Sequence, residues 1–170
     1  MNSHQIQNVL QFLLPEQFGG VYPADKLPAN GGNNNKSRCF VANTHNHDEP
    51  GEHWVAFYFP LRGTREYFDS YGLPPWKHYF DLFLGEHYVM SAKPLQSLNS
   101  SSCGQYCILF LALRGRGLSM TEILQMFSTN TRQNDKIATD FYETIITPPL
   151  SCNSNESSQK CMNRKDCIFQ

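Results

Sequence analysis

Residues 100–117 read SSSCGQYCILFLALRGRG, and this segment has the pattern of a helix that lies inside a protein. Three serines form a polar cap, and residues 106–113 are apolar on nearly every side. A helix of that kind is normally buried. Gly115 and Gly117 are signals that end it. We therefore expect a central buried helix whose first turn contains Cys103.

Three segments upstream of this helix have the composition of β-strands. Residues 38–43, 53–59 and 66–69 are dense in aromatic and β-branched residues and are bounded by turn formers. We expect antiparallel pairing between these neighbours, and a short edge strand at residues 88–90. Together with the buried helix they predict an α+β fold, in which a mixed or antiparallel sheet packs against that central helix.

The rest of the chain divides into helical and loop segments. Amphipathic periodicity predicts four further helices, at residues 6–14, 76–84, 120–127 and 135–146. The third of these has a capping box, with Ser119 as the cap and Glu122 three residues later. Residues 18–35 are rich in Gly, Pro and Asn, which predicts an extended loop.

Length and composition limit the class of protein. A chain of 170 residues is typical of one domain, which we place at residues 1–148. Residues 149–170 are rich in Ser and Asn and predict a disordered tail. The net charge of −1 excludes a strongly basic nucleic-acid-binding protein. No apolar run approaches the ~20 residues that cross a bilayer and no export signal is evident, so we expect a soluble intracellular protein without membrane contact.

A candidate nucleophile lies at the expected start of the buried helix. Unpaired backbone N–H groups and the positive end of the helix dipole favour a thiolate at Cys103. A free cysteine in a protein core is more often a small apolar side chain. Cys103 alone therefore decides nothing about function.

The groups that a cysteine nucleophile needs are offered by the neighbouring segments. His53 opens one strand and Asp69 ends the next, so a hairpin brings both to one end of the sheet as base and orienting carboxylate. Trp54 is placed to shield or stack on the imidazole. Gln96 lies seven residues before Cys103, and its side-chain amide is a candidate oxyanion donor beside the backbone N–H of Cys103.

Three blocks of sequence resemble one known family in combination. They are GEHWVAF at residues 51–57, YFDSYG at residues 67–72, and Leu95-Gln96 followed by SSCGQYC at residues 101–107. The chain resembles the adenovirus-type, adenain-like maturation proteases from about residue 21 to residue 141. The resemblance is greatest to the branch carried by adintoviruses and Polinton (Maverick) elements.

The resemblance implies a papain-like cysteine protease fold with a circularly permuted order of His, Asp and Cys. Residue by residue, it implies the following roles: His53 as base, Asp69 as orienter, Gln96 as oxyanion donor, Cys103 as nucleophile, and Trp54 and Gly104 as supporting residues. It also implies cleavage of capsid and core precursor proteins after small residues such as Gly-Gly. A monomer without a cofactor is expected, in the cytoplasm or nucleus of a host cell or packaged in the virion.

Two alternatives to a maturation protease stay open. Adenoviral members have a glutamate where Asp69 stands here, whereas the related ubiquitin-like-protein-specific proteases use Asp. Removal of ubiquitin-like modifiers is therefore one alternative, and a catalytically inactive binding module is the other. Activation by DNA or by a viral peptide, as in the adenoviral enzymes, is left open because the chain has no obvious basic run.

The cysteine and histidine residues also allow a metal site or a redox pair, but the sequence favours these interpretations less than a cysteine nucleophile. The potential zinc ligands lie close together but match no standard motif: Cys39, His45, His47, Asp48 and His53. Cys152, Cys161 and Cys167 also have no zinc-module spacing, and their role is open. Cys103 and Cys107 are one helical turn apart, where the ~5–6 Å between Cβ atoms exceeds the ~3.8 Å of a disulfide. We therefore expect no metal and no redox pair.

Overall fold

The computed structural model describes residues 1–29, 36–76 and 78–147, and these form an α+β structure around one mixed sheet. The strands are β1 (Phe18–Tyr22), β2 (Arg38–Asn43), β3 (Trp54–Phe59), β4 (Arg65–Phe68) and β5 (Tyr88–Met90). Their order in the sheet is the order in the chain. The inner pairs, β2 with β3 and β3 with β4, are antiparallel, whereas the outer pairs are parallel.

Within the described part of the chain, five α-helices accompany the sheet. They are α1 (Ser3–Leu13), α2 (His78–Leu84), α3 (Cys103–Gly115), α4 (Met120–Gln125) and α5 (Thr131–Ile146), with a single 3-10 turn at Ala24–Lys26. None of these helices is long and apolar enough to cross a membrane.

Helix α3 is the centre of the larger core. Ten of its thirteen residues are buried, as its all-round apolar sequence predicts. Phe110 stacks face to face on Phe68 of β4, with 4.4 Å between the ring centroids. Helices α1 and α5 contact α3 as well, so it is enclosed between them and the sheet. The predicted packing of a sheet against a central buried helix is confirmed.

Both faces of the sheet are covered, which explains why the strand segments are apolar almost without a break. In β3, Ala56 and Tyr58 face the core around α3, whereas Val55 and Phe57 face a second core. Phe83 of α2 covers that second face, with its ring edge-on to Phe57 at 5.1 Å. A strand buried on both faces loses the polar alternation of a half-exposed strand.

The loop predicted over residues 18–35 is wrong at its beginning, because Phe18–Tyr22 forms β1 parallel to β2. The pair Gly19-Gly20 is typical of a turn, but both glycines lie within β1. A Cβ on Gly19 would overlap the ring of Phe40, so only glycine allows this approach. Residues 30–35 and 149–170 lie outside the described residues, so the predicted disordered tail stays a prediction.

The helix boundaries differ from the sequence-based ones by a few residues. Helix α5 begins at Thr131 rather than at residue 135, because Asn130 caps it by accepting from the backbone N–H of Gln133. Helix α1 begins at Ser3, where Asn2 and Gln5 form a capping box that the apolar stripe could not indicate. The capping box of Ser119 and Glu122 on α4 is confirmed.

Candidate active site

His53 lies at the end of the sheet, directly before β3, and its side chain is 13% exposed. Its backbone carbonyl accepts from the N–H of Thr44, which continues the pairing of β2 with β3. The ring Nε2 donates to Oδ1 of Asp69 over 3.0 Å. Since Nε2 is hydrogen-bonded to the carboxylate, Nδ1 is the ring nitrogen that remains to exchange a proton with a nucleophile. The predicted hairpin therefore brings these two residues together.

Asp69 follows β4 and is held on both its backbone and its side chain. Its N–H donates to Ser91 Oγ at 3.2 Å, and the Ser91 hydroxyl donates back to the Asp69 carbonyl at 3.1 Å. The N–H of Tyr71 donates to Asp69 Oδ1 at 2.7 Å. Gly72 completes the turn with φ +71, a conformation that favours glycine. These hydrogen bonds thus hold the carboxylate in the position where it accepts from His53.

Cys103 is the first residue of α3 and is 7% exposed. Burial alone would raise the pKa of its thiol. Hydrogen bonds with the His53 side chain and with the backbone of Trp54 and Gly104, together with the charge of His53, outweigh burial and hold the pKa of Cys103 below its ordinary value. The structure therefore favours a thiolate at this position.

The imidazole of His53 shows the matching effect. Burial would lower its pKa, but hydrogen bonds to Asp69 and Cys103 and the negative charge of both raise the pKa of His53 to about 9. A thiol with a lowered pKa beside an imidazole with a raised one is the signature of a thiolate–imidazolium pair. Such a pair is a nucleophile and a proton donor at neutral pH.

Gln96 is 3% exposed and lies at the same cleft as Cys103. Its Oε1 accepts from the Ser70 hydroxyl at 2.6 Å. Its Nε2 donates to the Ser100 carbonyl at 2.8 Å and to the Tyr71 hydroxyl at 3.2 Å. The amide is therefore oriented by three partners, and both of its N–H groups are engaged in this structure. Its role as an oxyanion donor stays a prediction.

The aromatic residue stacked on His53 is Tyr71 and not Trp54, the residue predicted to shield or stack on it. The ring stacked on His53 is that of Tyr71, with 4.9 Å between centroids and 30° between planes. The indole Nε1 of Trp54 instead donates to the Met1 carbonyl at 3.2 Å, although Trp54 also lines the cleft. Tyr71 was missed as a site residue. The signal for it was its place in a turn, two residues after Asp69.

Gly104 is buried in the first turn of α3 beside the N-terminal residues of the chain. A Cβ there would lie 2.8 Å from Met1 Sδ and 3.3 Å from Ile6. The lack of a side chain therefore lets α1 approach the end of the helix that presents Cys103. This contact and the backbone hydrogen bond to Cys103 are consistent with a supporting role.

A second residue missed by sequence reasoning is Asp135, in the first turns of α5. Its Oδ1 accepts from the hydroxyls of Tyr106 at 3.1 Å and Ser102 at 3.2 Å. Its Oδ2 accepts from the hydroxyl of Ser97. Asp135 thus joins both ends of the loop between Gln96 and Cys103. The sequence carried no signal for this role, because a carboxylate near a helix start is common and these contacts are tertiary.

The four predicted catalytic residues line one cleft of about 780 Å³. Its rim includes the loop between β2 and β3 and the side chains of Leu73 and Trp76. The described residues that line it include Glu49 and Glu52 but no Lys or Arg.

Two histidines of the loop between β2 and β3 pair with carboxylates. His45 Nε2 pairs with Glu52 at 3.0 Å, and His47 Nδ1 pairs with Asp25 at 2.6 Å. Within residues 1–29, 36–76 and 78–147, no group of three His, Cys, Asp or Glu side chains is arranged to hold a metal ion.

Two further described thiols are free and buried, and burial raises the pKa of each. The pKa of Cys39 is about 12, and that of Cys107 lies well above its ordinary value. Cys103 is the described thiol whose pKa is lowered. The three cysteines of the C-terminal segment lie outside the described residues.

Comparison with known proteins finds a likeness at the level of structure. No protein-family model matches the chain, and no curated protein matches it. Among solved structures, the chain is similar to the crystal structure of the ASFV pS273R protease, with a TM-score of 0.47 and 23% sequence identity. The similarity covers 61% of this chain and 43% of that one, so this chain spans less than half the length of that protease. A likeness of this size assigns neither an activity nor site residues to this chain.

Proposed function

We propose that the chain is a cysteine endopeptidase with Cys103 as nucleophile, His53 as base and Asp69 as orienter. The observation that carries the proposal is that Cys103, His53 and Asp69 line one cleft, with His53 Nε2 hydrogen-bonded to Asp69, and that His53 lowers the pKa of the thiol while Asp69 and Cys103 raise that of the imidazole. A buried thiol without such partners has a raised pKa, as Cys39 and Cys107 show. The arrangement therefore favours nucleophilic chemistry over simple core packing.

The reaction is amide hydrolysis in two stages. The Cys103 thiolate attacks the scissile carbonyl carbon, and the carbonyl π electrons move to its oxygen. The proton on His53 Nδ1 passes to the leaving nitrogen, the C–N bond breaks, and a thioester to Cys103 remains. Water then gives a proton to Nδ1 as it attacks the thioester, and release of the acid restores the thiolate and the imidazolium.

The oxyanion formed in each stage needs donors in the cleft. The backbone N–H of Cys103 lies at the start of α3, where helix N–H groups lack intrahelical partners. Gln96 supplies the second donor. Its longer hydrogen bond, 3.2 Å to the Tyr71 hydroxyl, is the one that exchanges for substrate, while the 2.8 Å bond to Ser100 keeps the amide in place.

The natural substrates are, in our proposal, capsid and core precursor proteins of a virus or virus-like element, cleaved after small residues such as Gly-Gly. Support comes from the adenain-like blocks around His53, Asp69 and Cys103, whose branch is that of adintoviruses and Polintons. The papain-like, circularly permuted relationship belongs to the same proposal. We also propose that the protein acts as a monomer without a cofactor, in the host cell or in the virion. Activation by a peptide or by DNA is part of the same proposal.

A panel of two substrates tests the proposal. We expect the wild type to cleave a peptide that contains Gly-Gly-X, and Cys103→Ala to abolish cleavage. Cys107→Ala is the matched control, because it removes a thiol one turn along the same helix that lies in the core and does not line the cleft. Peptide cleavage that persists in Cys103→Ala contradicts the proposal.

The second substrate is a ubiquitin-like protein conjugated through its C-terminal Gly-Gly. Cleavage of the conjugate alone would identify a deconjugating isopeptidase in place of a maturation protease. Cleavage of neither substrate, with Cys103 no more reactive than Cys107, would identify an inactive binding module.

A further inference from the structure

Tyr71 contacts three of the four predicted catalytic residues. Its ring is stacked on the imidazole of His53, with 4.9 Å between centroids and 30° between planes. Its N–H donates at 2.7 Å to Asp69 Oδ1, which is the same oxygen that accepts from His53. Its hydroxyl accepts from Gln96 Nε2 at 3.2 Å.

The stacked contact acts on the charged form of His53. An aromatic face attracts a cation through its quadrupole, and the attraction is larger where water is partly excluded. The His53 side chain is 13% exposed, and the ring of Tyr71 lies against it. The imidazolium is therefore stabilised more than the neutral imidazole, and rotation of the ring away from the thiol is hindered.

The position of the ring is set by the turn after β4. The N–H of Gly72 donates to the Asp69 carbonyl at 3.0 Å, and that of Tyr71 donates to the Asp69 carboxylate. The turn residue Ser70 also receives the N–H groups of Leu95 and Gln96 on its carbonyl, at 2.8 and 3.0 Å. The turn that orients Asp69 thus places the Tyr71 ring as well.

We propose that Tyr71 is a positioning residue that holds the His53 imidazolium against the Cys103 thiolate by stacking. It acts through His53 and does not itself touch the reacting atoms. The inference rests on the proposed cysteine-protease function. It adds that an aromatic ring at this position sets how much of Cys103 is ionised at mildly acid pH.

The test is the rate of Cys103 alkylation by iodoacetamide from pH 5 to pH 10, followed by mass spectrometry. Tyr71→Leu removes the ring, and we expect alkylation near pH 6 to slow by about three- to tenfold, the size of one partly buried cation–π contact. The rate should return to the wild-type value above about pH 9, where the thiol ionises without help from the imidazolium. A general loosening of the site would not give this pH dependence.

Tyr71→Phe is the conservative variant, because it keeps the ring and removes only the hydroxyl. We expect its alkylation profile to stay within about twofold of the wild type. Tyr79→Leu is the matched control, since Tyr79 lies on the exposed side of α2 and does not line the cleft. If Tyr71→Leu is unfolded at the assay temperature, Tyr71→Met repeats the test with an unbranched apolar side chain.

Three outcomes separate the hypotheses. A slow Leu variant with a normal Phe variant supports the stacking role. A Leu profile that coincides with the wild type, or a Phe variant as slow as the Leu variant, overturns it while leaving the proposed protease intact. A wild-type Cys103 that titrates like an ordinary thiol overturns the thiolate–imidazolium pair itself, and the role of Tyr71 with it.

Discussion

Replacing Asp69 with Asn tests how the carboxylate acts on His53. The variant keeps the shape of the side chain and an oxygen that can accept from Tyr71 N–H and from His53 Nε2, but it removes the negative charge. We expect the pKa of His53 to fall, because Asp69 is one of the groups that raise it to about 9. The pair would then lose its imidazolium at a lower pH than in the wild type.

The magnitude follows from the type of hydrogen bond that is lost. Charge-assisted hydrogen bonds contribute about 1.5–3 kcal/mol and neutral ones about 0.5–1.5 kcal/mol. The difference, about 1–1.5 kcal/mol, corresponds to about one pKa unit. Because the wild-type pKa of His53 is about 9, the variant should titrate nearer to ~8.

The assay is the pH dependence of kcat/KM for a Gly-Gly-X peptide, whose alkaline limb reports deprotonation of the essential acid. We expect this limb near pH 9 in the wild type and about one unit lower in Asp69→Asn. Asp140→Asn is the control, since Asp140 is exposed and pairs with Lys136 on α5. An alkaline limb that stays in place in Asp69→Asn would refute the idea that the carboxylate sets the pKa of His53.

Two predictions concern stability and are checked by urea denaturation. Gly72→Ala should lower the free energy of unfolding by more than about 1–3 kcal/mol, because φ is +71 and a Cβ would lie 2.9 Å from the backbone of Lys93. Gly117→Ala is the control: its φ is +96 but the space around it is open, so its loss of unfolding free energy should be smaller. Equal losses in the two variants would contradict this prediction. Glu66→Ala should lower the free energy of unfolding by about 3–5 kcal/mol, because it removes the carboxylate paired at 2.8 and 2.9 Å with the guanidinium of Arg114, whose side chain is only 11% exposed. A loss below about 1 kcal/mol would mean that the pair behaves as a surface one.

The catalytic candidates were predictable because each lies at the boundary of an element. His53 precedes β3, Asp69 follows β4, and Cys103 begins α3. Element ends can be estimated from composition, and adjacent strands of a hairpin bring their ends together. That His53 and Cys103 meet, however, depends on how α3 packs on the sheet, which local patterns do not specify. The prediction that His53 and Cys103 lie together came from the resemblance to a known family.

The features that were missed depend on tertiary packing. Gly19-Gly20 has the composition of a turn, and its role in β1 is evident only from the approach of Phe40. Tyr71 and Asp135 have ordinary local environments in the sequence. Their contacts join residues far apart in the chain, such as Asp135 with Ser97 and Ser102. A pattern of composition and periodicity holds no information on such pairs.

Competitive alkylation shows whether Cys103 and His53 form an ion pair. Each cysteine is labelled with iodoacetamide near pH 6 and its rate is followed by mass spectrometry in the wild type and in His53→Ala. We expect Cys103 to react far faster than Cys39 and Cys107, and to slow markedly without His53. A Cys103 that reacts no faster than the other two, or at a rate unaffected by the loss of His53, would rule out the ion pair.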